Sequence, residues 1–260
     1  MAQRNSPPQR LEGARRFDDR VENYARYRPD YPPEIVHYLE KQTGLQRGAR
    51  IADVGSGTGK LAETFLHRGY RVIGVEPSAA MRVASARALA SQLHFRVVAG
   101  RAEQLPLHDR CVDAIVAGQA FHWFDPERAR SEFRRALRSW GRAILVWNNR
   151  KDAESGLLPD YEAMLRRHCP DYPKVGNKHF DEAELVAFFG DDFESARFDN
   201  CQELDLVALR GRLLSSSYVP ASGLGHDAIM EELEALFARY ARGGRVTIDY
   251  DTVLFHGSWN

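Results

Sequence analysis

The sequence predicts a doubly wound α/β fold built on a mostly parallel sheet. Three observations carry the prediction. Short apolar runs alternate with helical periodicities from Arg50 to about Asn148, a glycine-rich turn joins the first run to the first helix, and an acid ends the second run. With 43% hydrophobic and 28% charged residues over 260 positions, disordered, collagen-like and disulfide-built proteins are excluded. The length allows one large domain or two small ones. Acids and bases balance at 36 each, so no basic excess marks a dedicated nucleic-acid binder. Of the 36 basic residues 31 are Arg, which reads as coding bias first and substrate recognition second. Cys111, Cys169 and Cys201 are far apart and odd in number, so neither a disulfide framework nor a zinc cluster is expected. No apolar run reaches eighteen residues, and Met1 to Arg16 is polar. The expectation is a solvated N-terminal arm, no membrane span and a cytoplasmic location.

The elements follow in order. Arg50 to Val54 is a short strand running into glycines. Leu61, Phe65 and Leu66 share one helix face, and Gly69 can cap that helix. Tyr70 to Val75 is a second strand stopped by Glu76-Pro77, and Ser78 can N-cap a helix reaching about Ala90. Phe95 to Ala99 and Val112 to Ala117 are the third and fourth strands, the fourth apolar throughout as a strand covered on both faces should be. Asp125 followed by Pro126 opens a helix that carries Ala129, Phe133, Ala136, Leu137 and Trp140 on one side and ends at Gly141. Ala143 to Trp147 is the fifth strand. Beyond it, helices are predicted over Pro159–Cys169, Asp181–Phe189, Ala208–Ser215 and Asp227–Ala241. A sixth strand is predicted over Phe193–Asp199 and a closing strand or hairpin over Arg245–Trp259.

Asp53-Val-Gly-Ser-Gly-Thr-Gly59 is the sharpest motif. Its glycines let the backbone turn tightly and approach a ligand. A dinucleotide fingerprint counted from Gly55 fails because Lys60 occupies the place of the last small residue. A phosphate loop ending Gly59-Lys60 fails because Val54 replaces its first glycine and Leu61 its hydroxyl residue. What remains is an acid-x-GxGxG loop. Glu76 follows 17 residues after Gly59, then Gly100-Arg-Ala-Glu-Gln-Leu-Pro106, then Gly118-Gln-Ala-Phe-His-Trp-Phe-Asp125.

This ordered set resembles class I S-adenosylmethionine (SAM) methyltransferases, with good coverage of residues 20 to 150. The segment Tyr24-Ala-Arg-Tyr-Arg28-Pro-Asp-Tyr31-Pro32 resembles a subgroup near trans-aconitate-type small-molecule methyltransferases. The resemblance implies a Rossmann-like seven-stranded sheet with helical cap elements. It divides residues 17–260, one domain, into lid helices (17–48), a SAM-binding core (49–150), a substrate-covering region (151–245) and a closing strand. It implies SAM as cofactor and S-adenosylhomocysteine as product, no metal, a small-molecule substrate, no nucleic acid, and a monomer or homodimer. The cofactor residues it implies are Tyr24, Arg28, Asp53, Gly55, Gly57, Gly59, Glu76, Pro77, Ala102, Glu103, Gln119 and Ala120. Ala102 and Glu103 stand in for an adenine-contacting acid, since Arg101 occupies its usual place and cannot accept a hydrogen bond.

The acceptor is expected to be oxygen, as carboxylate or hydroxyl. Arg28 can clamp a carboxylate of either the donor or an acidic substrate. His122 is placed to remove a proton from a hydroxyl, with a structural imidazole as the equal alternative. Substrate contacts are expected from Tyr27, His122, Trp123, Trp147 and Tyr218. Tyr161, Met164 and Tyr172 are equally cover or core. RNA or protein methylation, and SAM binding without catalysis, are the competing functions; a basic stripe or a base-clamp motif in place of Gln119-Ala-Phe would favour the former.

Overall fold

A computed structural model describes residues 20–172 and 182–259. The predicted N-terminal arm lies outside these residues. The elements are α1 (Val21–Tyr27), α2 (Glu34–Thr43), β1 (Arg50–Val54), α3 (Lys60–Leu66), β2 (Arg71–Val75), α4 (Ala79–Ala88), β3 (Phe95–Val98), β4 (Val112–Gly118), a 3-10 turn (Phe121–Trp123), α5 (Pro126–Ala136), β5 (Leu137–Arg150), α6 (Leu157–His168), α7 (Glu182–Phe189), β6 (Phe193–Leu204), α8 (Leu206–Leu214), α9 (Leu224–Tyr240) and β7 (Val246–Gly257).

The sheet has seven strands in the order β3-β2-β1-β4-β5-β7-β6. β3, β2, β1, β4 and β5 pair in parallel, and β7 runs antiparallel to both β5 and β6. The chain travels outward from β1 to β3, then returns to lay β4 on the other side of β1. That reversal opens a crevice beyond the C-terminal ends of β1 and β4, the place where doubly wound sheets bind ligands.

Alternation along the strands divides the core. Ile51, Ala114, Val116, Ile144, Val146 and Leu254 pack with α2 and α3 on one face. Ala52, Ile115, Ala117, Leu145, Trp147 and Phe255 pack with α5 and α7 on the other. β6 and β7 each run for 12 residues. The ends of β6 and β7 that pair with each other (Leu204, Val246, Ile248, Tyr250) hold a third cluster formed by α6, α8 and α9. Among the described residues no helix is long and apolar enough to cross a membrane.

The predicted caps form. Ser78 Oγ accepts the Met81 N–H at 3.2 Å, and Asp125 Oδ1 accepts the Arg128 N–H at 3.3 Å with Pro126 in the first turn. Two boundaries differ most. The helix expected to reach Trp140 stops at Ala136, because Leu137 pairs with Val112 and begins β5. Trp140 therefore leaves the apolar face and is 67% exposed. Gly141 lies inside the strand, where a Cβ would come within 2.8 Å of Leu137 and 3.1 Å of the Asp113 carbonyl. β6 continues past Asp199 to Leu204 because β7 pairs with it along its whole length.

Candidate active site

The crevice is built from the turn that follows β1. Gly55, Gly57 and Gly59 have φ of +70°, +54° and +88°, all in the left-handed region. Gly55 and Gly59 also answer close neighbours. A Cβ at Gly55 would lie 2.6 Å from Ala120 Cβ, and one at Gly59 would lie 2.7 Å from Leu89 Cδ1. At Gly57 the nearest atom is Tyr24 Cε1 at 3.9 Å, so this residue faces open space beneath α1. Glu76 braces the turn: its Oε2 accepts the Gly57 N–H at 2.9 Å and its Oε1 the Ser78 N–H at 2.8 Å.

An open cleft lies over this turn. Its walls include Asp53, Ser56, Thr58, Gln119, Asn148, Tyr31 and, from the helices above, Tyr24, Arg28 and Arg212. Gln119 holds φ of +55°, which is strained for a non-glycine residue. Its amide donates to the Val146 carbonyl at 2.8 Å and its Nε2 to the Asn148 carbonyl at 2.9 Å. The tip between α1 and α2 is fastened to the same region. The Asp30 carbonyl accepts from Asn148 and Asn200, and the Asp30 carboxylate pairs with Lys60 at 2.6 Å.

Buried polar atoms without a partner concentrate here. Both Asp53 carboxylate oxygens, Ser56 Oγ, Thr58 Oγ1 and Arg28 Nε make no hydrogen bond, and all belong to residues lining this one cleft. Buried groups of this kind are costly unless something satisfies them, so their convergence marks a place for a polar ligand. Asp53 is 1% exposed. Burial pushes its carboxyl up to about 7, the Glu76 charge adds to this, and the Ala62 amide opposes it only in part. A cation placed in the cleft would restore its ionised form.

Of the residues expected from sequence, Tyr24, Arg28, Asp53, Gly55, Gly57 and Gln119 line the cleft together. Gly59 seats the turn against α4, Ala120 seats it from below, and Glu76 reaches it through the Gly57 amide. Pro77 is exposed, and Ala102 is buried. Glu103 Oε1 accepts the Asp125 N–H at 2.9 Å, which joins the loop after β3 to the start of α5. His122 is exposed with its ring 4.9 Å from that of Trp123, and neither lines the cleft. Trp147 is 3% exposed and packs edge-on against Phe121 and Phe255 in the core. Tyr27 stacks against Gly211 of α8, where a Cβ would come within 2.1 Å of its ring. Tyr161, Met164 and Tyr172 are core of the α6–α8–α9 cluster.

Sequence reasoning missed Tyr31, Ser56, Thr58, Lys60, Asn148 and Arg212 as wall residues. Ser56 and Thr58 alternate with the glycines, so the motif already carried them. Arg212 left a fainter signal, a charge flanked by Leu209 and Leu213 on the buried face of α8.

A family model described as a methyltransferase domain matches residues 52–145. An uncharacterized methyltransferase of Mycobacterium tuberculosis is 42% identical over 137 residues, which are 52% of this chain and 53% of the relative. The chain thus spans about half the length of that relative. An uncharacterized methyltransferase of Schizosaccharomyces pombe is 31% identical over 210 residues, 78% of each chain. A solved structure from Anaeromyxobacter dehalogenans, described as a candidate type II methyltransferase, has a TM-score of 0.68 at 20% identity and covers 89% of this chain and 98% of its own. That likeness is one of fold. The identity across most of the fission-yeast relative, the family match over β1 to β5 and the glycine turn at the sheet's switch point converge, and the chain belongs to the class I SAM-dependent methyltransferases.

Proposed function

We propose that this protein transfers the methyl group of SAM to an oxygen of a small-molecule acceptor. The observation that carries the reading is the convergence of Asp53, Ser56, Thr58 and Arg28 polar atoms, all unpartnered, around an open glycine turn. These residues fit the donor, whose amino-acid end is zwitterionic and whose sulfonium is a cation. Asp53 offers a carboxylate that a cation would ionise. Gly57 offers backbone without a side chain, Ser56 and Thr58 offer hydroxyls, and Glu76 offers a carboxylate beside the turn to ribose hydroxyls. When bound, the donor supplies an already activated methyl group, so the chain's residues mainly position the acceptor and exclude water. The chemistry calls for no metal. In this reading residues 17–260 work as one domain, with α1 and its Asp30 anchor roofing the donor.

A carboxylate acceptor fits the cleft better than a hydroxyl. A carboxylate needs no base, and His122 lies outside the lining residues. Transfer of tritiated methyl from SAM to a panel of small acids, phenols and amines tests the proposal. Transfer confined to added RNA or protein would displace it.

A further inference from the structure

Two guanidinium groups meet at the roof of the cleft. Arg28 Nη2 and Arg212 Nη1 each lie 3.4 Å from the same oxygen, Ser216 Oγ. Arg28 also donates to the Ser215 carbonyl at 3.1 Å, and Arg212 Nε to the Tyr250 hydroxyl at 3.2 Å. Every one of these partners is neutral. Arg212 is 4% exposed, Ser216 is 1% exposed, and Arg28 Nε is buried without a partner. A third guanidinium, Arg150, is 7% exposed and does have a counter-ion, Glu162 at 2.6 Å. Among the described residues no carboxylate balances the other two. Burial holds the Arg28 guanidinium below its ordinary range, and the charge of Arg212 lowers it further.

Taking charges out of water without a counter-charge is expensive, and placing two like charges on one hydroxyl adds repulsion. A fold that retains such a pair in the wall of its cleft has left room for an anion. The donor does not remove the excess. SAM carries one carboxylate against an ammonium and a sulfonium, so it enters with a net positive charge. Its carboxylate carries one negative charge against two guanidinium charges. The remaining charge belongs to whatever enters second.

We infer that Arg212, together with Arg28, is the recognition site for an anionic oxygen group, carboxylate or phosphate, on the methyl acceptor. The planar fork of Arg suits both groups through two parallel N–H···O bonds. Arg28 comes just after the lid helix α1, and Arg212 comes from the cap helix α8, so an anion between them also ties lid to cap. The same two helices already touch through Tyr27 and Gly211, and Gln202 Nε2 donates to the Tyr27 carbonyl at 3.1 Å. Tyr218 lies within the field of the same guanidinium groups. Burial raises its phenol, but Arg150, Arg212 and Arg28 outweigh that and leave it below its ordinary value.

The inference rests on the methyltransferase reading, and calorimetry with S-adenosylhomocysteine checks that reading separately. With the product bound, succinate and inorganic phosphate are titrated at constant ionic strength against a chloride control, and thermal stability is followed. The wild-type protein should be stabilised by at least one of them, which also tells carboxylate from phosphate. Arg212→Gln should weaken that anion about ten- to hundredfold, and Arg212→Lys, which keeps charge but loses the fork, should lie between. Acceptors found with tritiated SAM should be carboxylic acids or phosphate monoesters, with KM raised in Arg212→Gln and product affinity unchanged. If Arg212→Gln does not fold, Arg212→Lys and Ser216→Ala carry the comparison. Failure of both anions to stabilise the wild type beyond chloride overturns the inference. So does methylation of neutral acceptors alone, or loss of product affinity in Arg212→Gln with acceptor KM unchanged, which would give Arg212 to the donor. Absence of product binding in the wild type would instead remove the methyltransferase reading.

Discussion

Asp53→Asn is the substitution whose effect follows most directly from the structure. Asp53 stands one residue before the end of β1, buried, and burial raises its carboxyl from an ordinary 3.8 to about 7. In the unfolded chain the group returns to its ordinary value. The folded state therefore holds an extra proton between the two values. Stability from that proton is fully present at low pH and is lost as pH rises through about 7. The gap corresponds to about 4 kcal/mol in full, and to about 2 kcal/mol between about pH 5.5 and about pH 8. Asn has the same shape and no titration. In the absence of ligand, its stability relative to wild type should improve by about 2 kcal/mol across that interval, or about 4–8 °C in Tm for a chain of this size. Thermal unfolding of both proteins at the two pH values reads this out. A cationic donor reverses the sign, because it favours the ionised form. SAM affinity of the wild type should rise with pH up to about 7, with proton release near neutrality, and Asn should lose both the affinity and the proton release. A Tm difference between Asn and wild type that is the same at both pH values would refute the reasoning.

Three further outcomes follow from the geometry. Gly211→Ala drives a Cβ into the Tyr27 ring and should cost about 1–3 kcal/mol, with Tyr27→Ala rescuing part of it in a double-mutant cycle; additive effects would show that α1 and α8 do not meet there. Glu76→Ala removes the acceptor of the Gly57 and Ser78 amides and should weaken product binding about ten- to hundredfold by calorimetry, in a protein that remains folded. His122→Ala should leave kcat/KM for a carboxylate acceptor within about threefold of wild type and its profile flat from about pH 6 to about pH 9, whereas a collapse of turnover with SAM still bound would point to a hydroxyl acceptor and a base.

The part of the fold that local rules govern was readable from sequence. β1, the glycine turn, Glu76, the Ser78 cap and the Asp125-Pro126 start all stand where spacing and turn chemistry put them. Each depends on neighbours within a few residues. The end of α5 was not readable, because Leu137 and Trp140 continue the helical period. Pairing of Leu137 with Val112, 25 positions away, overrides that period. The full length of β6 was hidden for the same reason, since its partner β7 comes about fifty residues later. At the site, motif logic found the floor of the cleft and, in Tyr24 and Arg28, part of its roof. Asp53, Gly55, Gly57 and Gln119 lie in motifs at strand ends, but Arg212 and Asn148 reach the cleft only through the packing of α8 and the pairing of β5. Trp123 follows β4 and Trp147 lies within β5, and burial sends Trp147 into the core, where it packs against Phe121. His122 turns outward because the 3-10 turn buries its neighbour Phe121 instead.

The central claim is that the turn after β1 and the lid above it bind the methyl donor. Calorimetric titration of the wild-type protein with S-adenosylhomocysteine, alongside ATP and NADH under the same conditions, tests it most directly. The account predicts one-to-one binding of S-adenosylhomocysteine, weakened in Asp53→Asn and Glu76→Ala, and no saturable binding of the other two. Tight binding of ATP or NADH with none of S-adenosylhomocysteine would contradict it.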